Sequence, residues 1–89
     1  MAKKRERLEI IRDILNTANK IKNIGPTKLL HSSNLSPQMF NEYLSELLEK
    51  NFIIESKEKK KRIYFLSKKG KEFLNEYFTI EKVIKNFGL

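Results

Sequence analysis

Eighty-nine residues suffice for one compact domain rather than two, and the absence of cysteine excludes disulfides and thiolate zinc sites. Lysine and arginine number 19 against 11 acidic residues, giving a net charge of +8 and a pI near 9.8, which points to a polyanionic partner. No apolar run approaches the ~20 residues that span a bilayer, and no signal-type apolar stretch follows the basic start Met1-Ala2-Lys3-Lys4-Arg5, so a cytoplasmic protein without membrane attachment is expected.

The first predicted helix runs from about Arg5 to about Asn19. Leu8, Ile11, Ile14, Leu15 and Ala18 recur at helical spacing on one face, with Glu9, Arg12, Asp13 and Asn16 on the other. Gly25-Pro26 breaks the pattern and opens a short second helix, because proline is well tolerated at a first helical position. Leu29 and Leu30 should point inward. Asn34-Leu35-Ser36-Pro37 is the sharpest punctuation in the chain. Asn suits a left-handed turn residue, Leu35 plugs the corner, Ser36 suits an N-cap and Pro37 a first helical residue. A third helix should run to about Lys50, with Phe40, Leu44, Leu47 and Leu48 inward and Tyr43 at the edge. Gln38, Asn41, Glu42, Ser45, Glu46 and Glu49 then face outward. Two short helices joined by such a turn make a helix-turn-helix.

Phe52-Ile53-Ile54-Glu55-Ser56 and Arg62-Ile63-Tyr64-Phe65-Leu66 are aromatic and β-branched, so each reads as a strand. Lys57-Glu58-Lys59-Lys60-Lys61 lies between them as a basic loop, and the whole reads as a hairpin. Ser67 caps a last helix from about Lys68. In it Phe73, Tyr77, Ile80, Ile84 and Phe87 are spaced 4, 3, 4, 3, the a and d seam of about two heptads. One small domain can cover only the first half of such a helix. The distal part, with Ile80, Val83, Ile84 and Phe87, needs another surface, and a second copy of the chain is the preferred one.

Helix, helix, turn, helix, two-stranded wing and long helix is the winged-helix order. Leu35-Ser36, Tyr43-Leu44, Leu47-Leu48-Glu49-Lys50, Ile53 and Tyr64-x-Leu66-Ser67-x-Lys69-Gly70 resemble the small archaeal winged-helix DNA-binding proteins that dimerise through a C-terminal antiparallel coiled coil. The resemblance covers nearly the whole chain. It departs in three ways: the wing tip is unusually basic, the third helix unusually acidic and the coiled coil short. Asn51 stands where the family often has Gly, and both suit a left-handed helix end. The expected fold is α+β, mostly α: a winged helix-turn-helix over residues 1–72, with a C-terminal dimerisation helix extending over 73–89 through Tyr77, Ile80, Val83, Ile84 and Phe87.

The function this implies is a dimeric double-stranded DNA-binding protein associated with the nucleoid. The second helix of such a motif enters the major groove, where its N-terminal residues reach base edges. Gln38, Asn41, Glu42 and Ser45 are the candidates, since Gln and Asn pair with adenine and Glu accepts from cytosine. Thr27, Lys28 and Ser36 sit near helix N-termini, where backbone N–H groups suit phosphate. Glu42, Glu46 and Glu49 are opposed only by Lys50 on this face, so Glu46 and Glu49 are expected to turn away from the duplex. Lys57, Lys59, Lys60, Lys61 and Arg62 at the hairpin tip are the stronger candidates. Lys3, Lys4, Arg5 and Arg7 read as a basic arm.

A transcription regulator is the preferred role, favoured by Gln38 and Asn41. The acidic third helix favours an architectural protein instead. A protein-interaction module and an RNA-binding protein are the alternatives of other classes. RNA binding would need exposed aromatics by the basic patch, and one of Tyr64 and Phe65 must face the core because strands alternate. His31 is the only histidine, and Gly25, Gly70 and Gly88 are isolated. No metal site, cofactor, small-molecule ligand or catalytic constellation is expected.

Overall fold

The computed structural model describes residues 6–89. Glu6 is the N-cap of α1 (Arg7–Lys20) and donates its backbone N–H to the Glu9 carboxylate at 2.9 Å, half of a capping box that starts the helix two residues later than its basic first turn suggests. Its inward arc is Ile10, Ile11, Ile14, Leu15 and Ala18. Leu8, expected in that arc, is 51% exposed instead and borders a groove that no described residue fills. Arg12, Asp13 and Asn16 are half-buried rather than solvated.

In α2 (Pro26–Ser33) Gly25 is the N-cap and Pro26 the first residue, and Leu29 is fully buried. The buried Ser33 hydroxyl donates to the Leu30 carbonyl at 2.6 Å. Asn34 takes the left-handed conformation, φ +57°, as its place in the turn predicts. Leu35 half-buries against the core. The Ser36 hydroxyl accepts from the Met39 N–H at 3.2 Å and caps α3 (Pro37–Glu49), which buries Phe40, Leu44 and Leu47. Asn51, at φ +63°, turns the chain out of this helix.

β1 (Ile53–Glu58) and β2 (Lys61–Leu66) form the wing, antiparallel, in register from Ile53 opposite Leu66 to Glu58 opposite Lys61. The sequence places a five-residue loop here. The strands instead continue through their charged residues and leave a two-residue turn, Lys59-Lys60, with φ of +50° and +67°. Two positive φ values across a two-residue hairpin loop make a type I′ turn, whose twist matches that of the flanking strands. Tyr64 also pairs with Ile24 through a 2.9 Å backbone bond, which adds a third short arm to the sheet. The core face of the hairpin carries Ile53, Tyr64 and Leu66; Phe65 lies on the outer face.

The Ser67 hydroxyl accepts from the Gly70 N–H at 3.0 Å and caps α4 (Lys68–Asn86). Gly70 lies flush on the end of α3. A Cβ there would sit 2.3 Å from the Phe52 carbonyl oxygen. Lys69 donates from Nζ to the Lys50 carbonyl at 2.8 Å and lies 4.6 Å from the Phe52 ring centroid. The Tyr64-to-Gly70 motif is therefore a weld between the end of the third helix and the start of the last. α4 crosses α1, burying Leu74. There Arg12 bonds Glu81, pairs with Asp13 at 2.8 Å and lies over the Tyr77 ring. From Phe78 onward the apolar residues lose cover: Phe78, Ile80, Val83 and Ile84 are exposed, and Phe87 is 78% exposed.

Candidate nucleic-acid interface

Gln38, Asn41, Glu42, Ser45 and Glu49 are all exposed along the outer side of α3. Ser36 is exposed too, but its hydroxyl is occupied by capping. Glu46 behaves differently from its acidic neighbours. It is ion-paired with Lys50 at 2.7 Å and with Arg7 of α1. The hydrogen bond from Arg7, then that from Lys50, pulls its carboxyl down to about 2. The sequence sets Lys50 alone against the three glutamates and puts Arg7 in a basic arm; both readings need correction. Arg7 sits in the first helical turn and is spent on Glu46, whose partner is 39 positions away. Lys3, Lys4 and Arg5 lie outside the described residues. The uncompensated acid of the third helix is thus Glu42 and Glu49, which have no ion pair among the described residues.

Thr27 and Lys28 are exposed in the first turn of α2. That turn stands against the wing: a Cβ on Gly25 would lie 3.9 Å from the Arg62 carbonyl, and Ile24 pairs with Tyr64. α3 packs against β1. The starts of α2 and the wing therefore adjoin, with α3 beside them.

Lys57, Lys59, Lys60, Lys61 and Arg62 are all exposed. The register divides them: Lys57 stands directly opposite Arg62, while Lys61 faces Glu58. Like charges directly opposite destabilise a strand pair. Lys59 and Lys60 add a second cost, because a left-handed backbone suits Asn and Gly and strains a lysine. A hairpin selected for stability alone would carry neither feature. The repulsion between Lys57 and Arg62 is eased when an anion lies against the tip. At the wing base the buried Tyr64 hydroxyl donates to Glu55 at 2.8 Å. Burial first, then Glu55, pushes the phenol above its ordinary value, against the pull of Arg62.

The winged helix-turn-helix family model matches residues 4–85. The chain belongs to the winged helix-turn-helix family. Among solved structures, the winged helix-turn-helix chain is similar to Sso10a-2, a DNA-binding protein from Sulfolobus solfataricus, with a TM-score of 0.76 and 24% identity over 93% of this chain and 85% of that one. It is also similar to SSV1 F-93, with a TM-score of 0.69 and 21% identity over 98% and 99% of the two chains. At this identity the likeness is one of fold. No curated protein matches the sequence significantly.

Three working side chains escaped the sequence: Arg7, Arg12 and Lys69. Arg12 meets Glu81 across 69 positions and Lys69 meets Lys50 across 19, so no local pattern carries them. Of the residues read as a dimer seam, Ile80, Val83, Ile84 and Phe87 are exposed, while Tyr77 is half-buried under Arg12. His31 is exposed in the last turn of α2. Among the described residues no helix is long and apolar enough to cross a membrane, and no cluster of three His, Asp or Glu side chains is placed to hold a metal.

Proposed function

We propose that this winged helix-turn-helix protein binds double-stranded DNA as a homodimer and serves as a transcription regulator. The observation that carries the reading is the wing tip, where five cations are held in a geometry that costs the free hairpin stability. Lys57, Lys59, Lys60, Lys61 and Arg62 neutralise phosphates and supply most of the affinity. Thr27, Lys28 and Ser36 approach the backbone beside them, and Gln38, Asn41 and Ser45 reach base edges. Tyr77, Ile80, Val83, Ile84 and Phe87 join two copies, so that two wings meet one duplex. The DNA binding of Sso10a-2 supports the reading by likeness of fold.

A second reading, an architectural protein that coats DNA with little regard to sequence, is favoured by Glu42 and Glu49 on the outer side of α3. Fluorescence anisotropy of a labelled random duplex at several salt concentrations tests both. The expected slope of log K on log salt is about −0.9 per phosphate neutralised. Changing Lys59, Lys60, Lys61 and Arg62 to Ala should flatten it by about 3–4 per engaged wing. Binding that ignores salt would move the assignment to a protein-interaction module. A tighter complex with one selected duplex than with random DNA separates the regulator from the coating protein.

A further inference from the structure

The end of α1, the connector into α2 and the outer face of the wing border an open pocket, at the opposite end of α1 from residues 1–5. Its floor is the buried Ala18 and Leu66, and Phe65 of β2 makes one wall. Lys22 and Lys71 flank it, with the Asn19 and Asn23 amides beside them. Its volume is about 220 Å³.

Two cations line this pocket and no carboxylate does. Neither Lys22 nor Lys71 forms an ion pair among the described residues. Lys22 stands just past α1 and Lys71 near the start of α4, so the fold brings them together and no local charge run does. Like charges gathered without an acid favour an anion between them. Phe65 adds an apolar element, since its ring is 36% exposed beside these cations. An apolar wall with a few convergent polar groups is the chemistry of a small-ligand site. Size narrows the ligand. The volume takes one benzene-sized ring, which fits ~150 Å³, and leaves about the space of two waters, enough for a carboxylate.

We propose that this pocket binds a small aromatic carboxylate, with the ring against Phe65 and the carboxylate between Lys22 and Lys71, and that the bound ligand weakens DNA binding. Asn19 and Asn23 offer amide donors and acceptors to a ring substituent. The regulatory half rests on the DNA reading. Asn23 runs directly into Ile24, whose carbonyl accepts the Tyr64 N–H at 2.9 Å, and then into Gly25-Pro26 and the start of α2. Phe65 follows Tyr64 in the strand that begins at Lys61. The pocket therefore spans the joint between the segment that carries Thr27 and Lys28 and the strand that carries the wing cations. An anion held there lowers the positive potential that phosphates meet. Ligand and duplex then oppose one another, each weakening the other by the same factor.

Two-dimensional NMR with sodium benzoate as the probe tests the site, with sodium acetate at equal concentration holding ionic strength. Benzoate should shift the amides of Asn19, Lys22, Asn23, Phe65 and Lys71 saturably, with a Kd on the order of 1 mM for so small a ligand. Acetate and neutral benzamide should not. Lys22→Gln with Lys71→Gln should weaken benzoate about tenfold. Both positions are exposed, and circular dichroism confirms folding. Shifts that fail to saturate, that acetate reproduces or that survive the double change overturn the site. Anisotropy with a labelled duplex tests the regulation: saturating benzoate should weaken binding about fivefold relative to acetate. Equal affinity in the two salts overturns the regulatory role and leaves the site standing. No duplex binding in either salt overturns the DNA reading instead.

Discussion

Replacing Lys59-Lys60 with Asn-Gly separates the two demands on the wing. Both lysines have positive φ, +50° and +67°. A left-handed backbone costs a non-glycine residue ~1–2 kcal/mol, and Asn and Gly are the residues that best tolerate a type I′ turn. Relief at both positions, less the ~0.5–1 kcal/mol that glycine returns as chain entropy, should raise stability by about 1–3.5 kcal/mol. In a domain of this size that lifts Tm by roughly 4–8 °C per kcal/mol. The same change removes two cations per wing, so the salt slope of DNA binding should flatten by about 1.8 per engaged wing. Thermal circular dichroism and anisotropy on the same preparation read both effects. A variant that is no more stable than the parent refutes strain at the tip. One that is more stable yet binds DNA with an unchanged slope refutes the tip as a phosphate contact.

Gly70→Ala should destabilise the protein by about 1–3 kcal/mol in urea unfolding. The new Cβ would lie 2.3 Å from the Phe52 carbonyl oxygen, and this overpacking outweighs the ~1 kcal/mol that alanine gains in a helix. Leu29→Ala, at a fully buried site, should cost about 2–5 kcal/mol in the same assay. The Glu46 carboxyl, held at about 2 by Arg7 and Lys50, contributes stability that is present above the unfolded carboxylate value of ~4.3 and is lost as pH falls from there toward 2. Urea midpoints of the parent and Glu46→Gln should therefore differ most near neutral pH and converge near pH 2.

The order of elements was legible because its punctuation is local. Asn34, Ser36-Pro37 and Asn51 each do in the fold what their own backbone chemistry dictates, and the period-2 and helical patterns between them need no distant partner. The extent of the wing was not legible. Lysine and glutamate carry no strand signal, yet the ladder runs on to Glu58 and Lys61 because the register begun by Ile53 and Leu66 has only to continue. The candidate site was legible as a set of exposed polar residues and illegible as a charge balance. Glu46 looks like its acidic neighbours until Arg7 arrives from another helix. Leu8 fits the helical period and is still exposed, since such a pattern records which residues want cover and not what supplies it.

The central claim is that the wing tip and the start of α3 meet DNA. Backbone amide shifts in a two-dimensional NMR titration with a short duplex test it most directly. The largest changes should fall on Lys57–Arg62, on Gln38, Asn41 and Ser45, and on Thr27 and Lys28. Changes confined to the far end of α4 or to the outer face around Ile54 and Phe65, with the wing tip still, would contradict it.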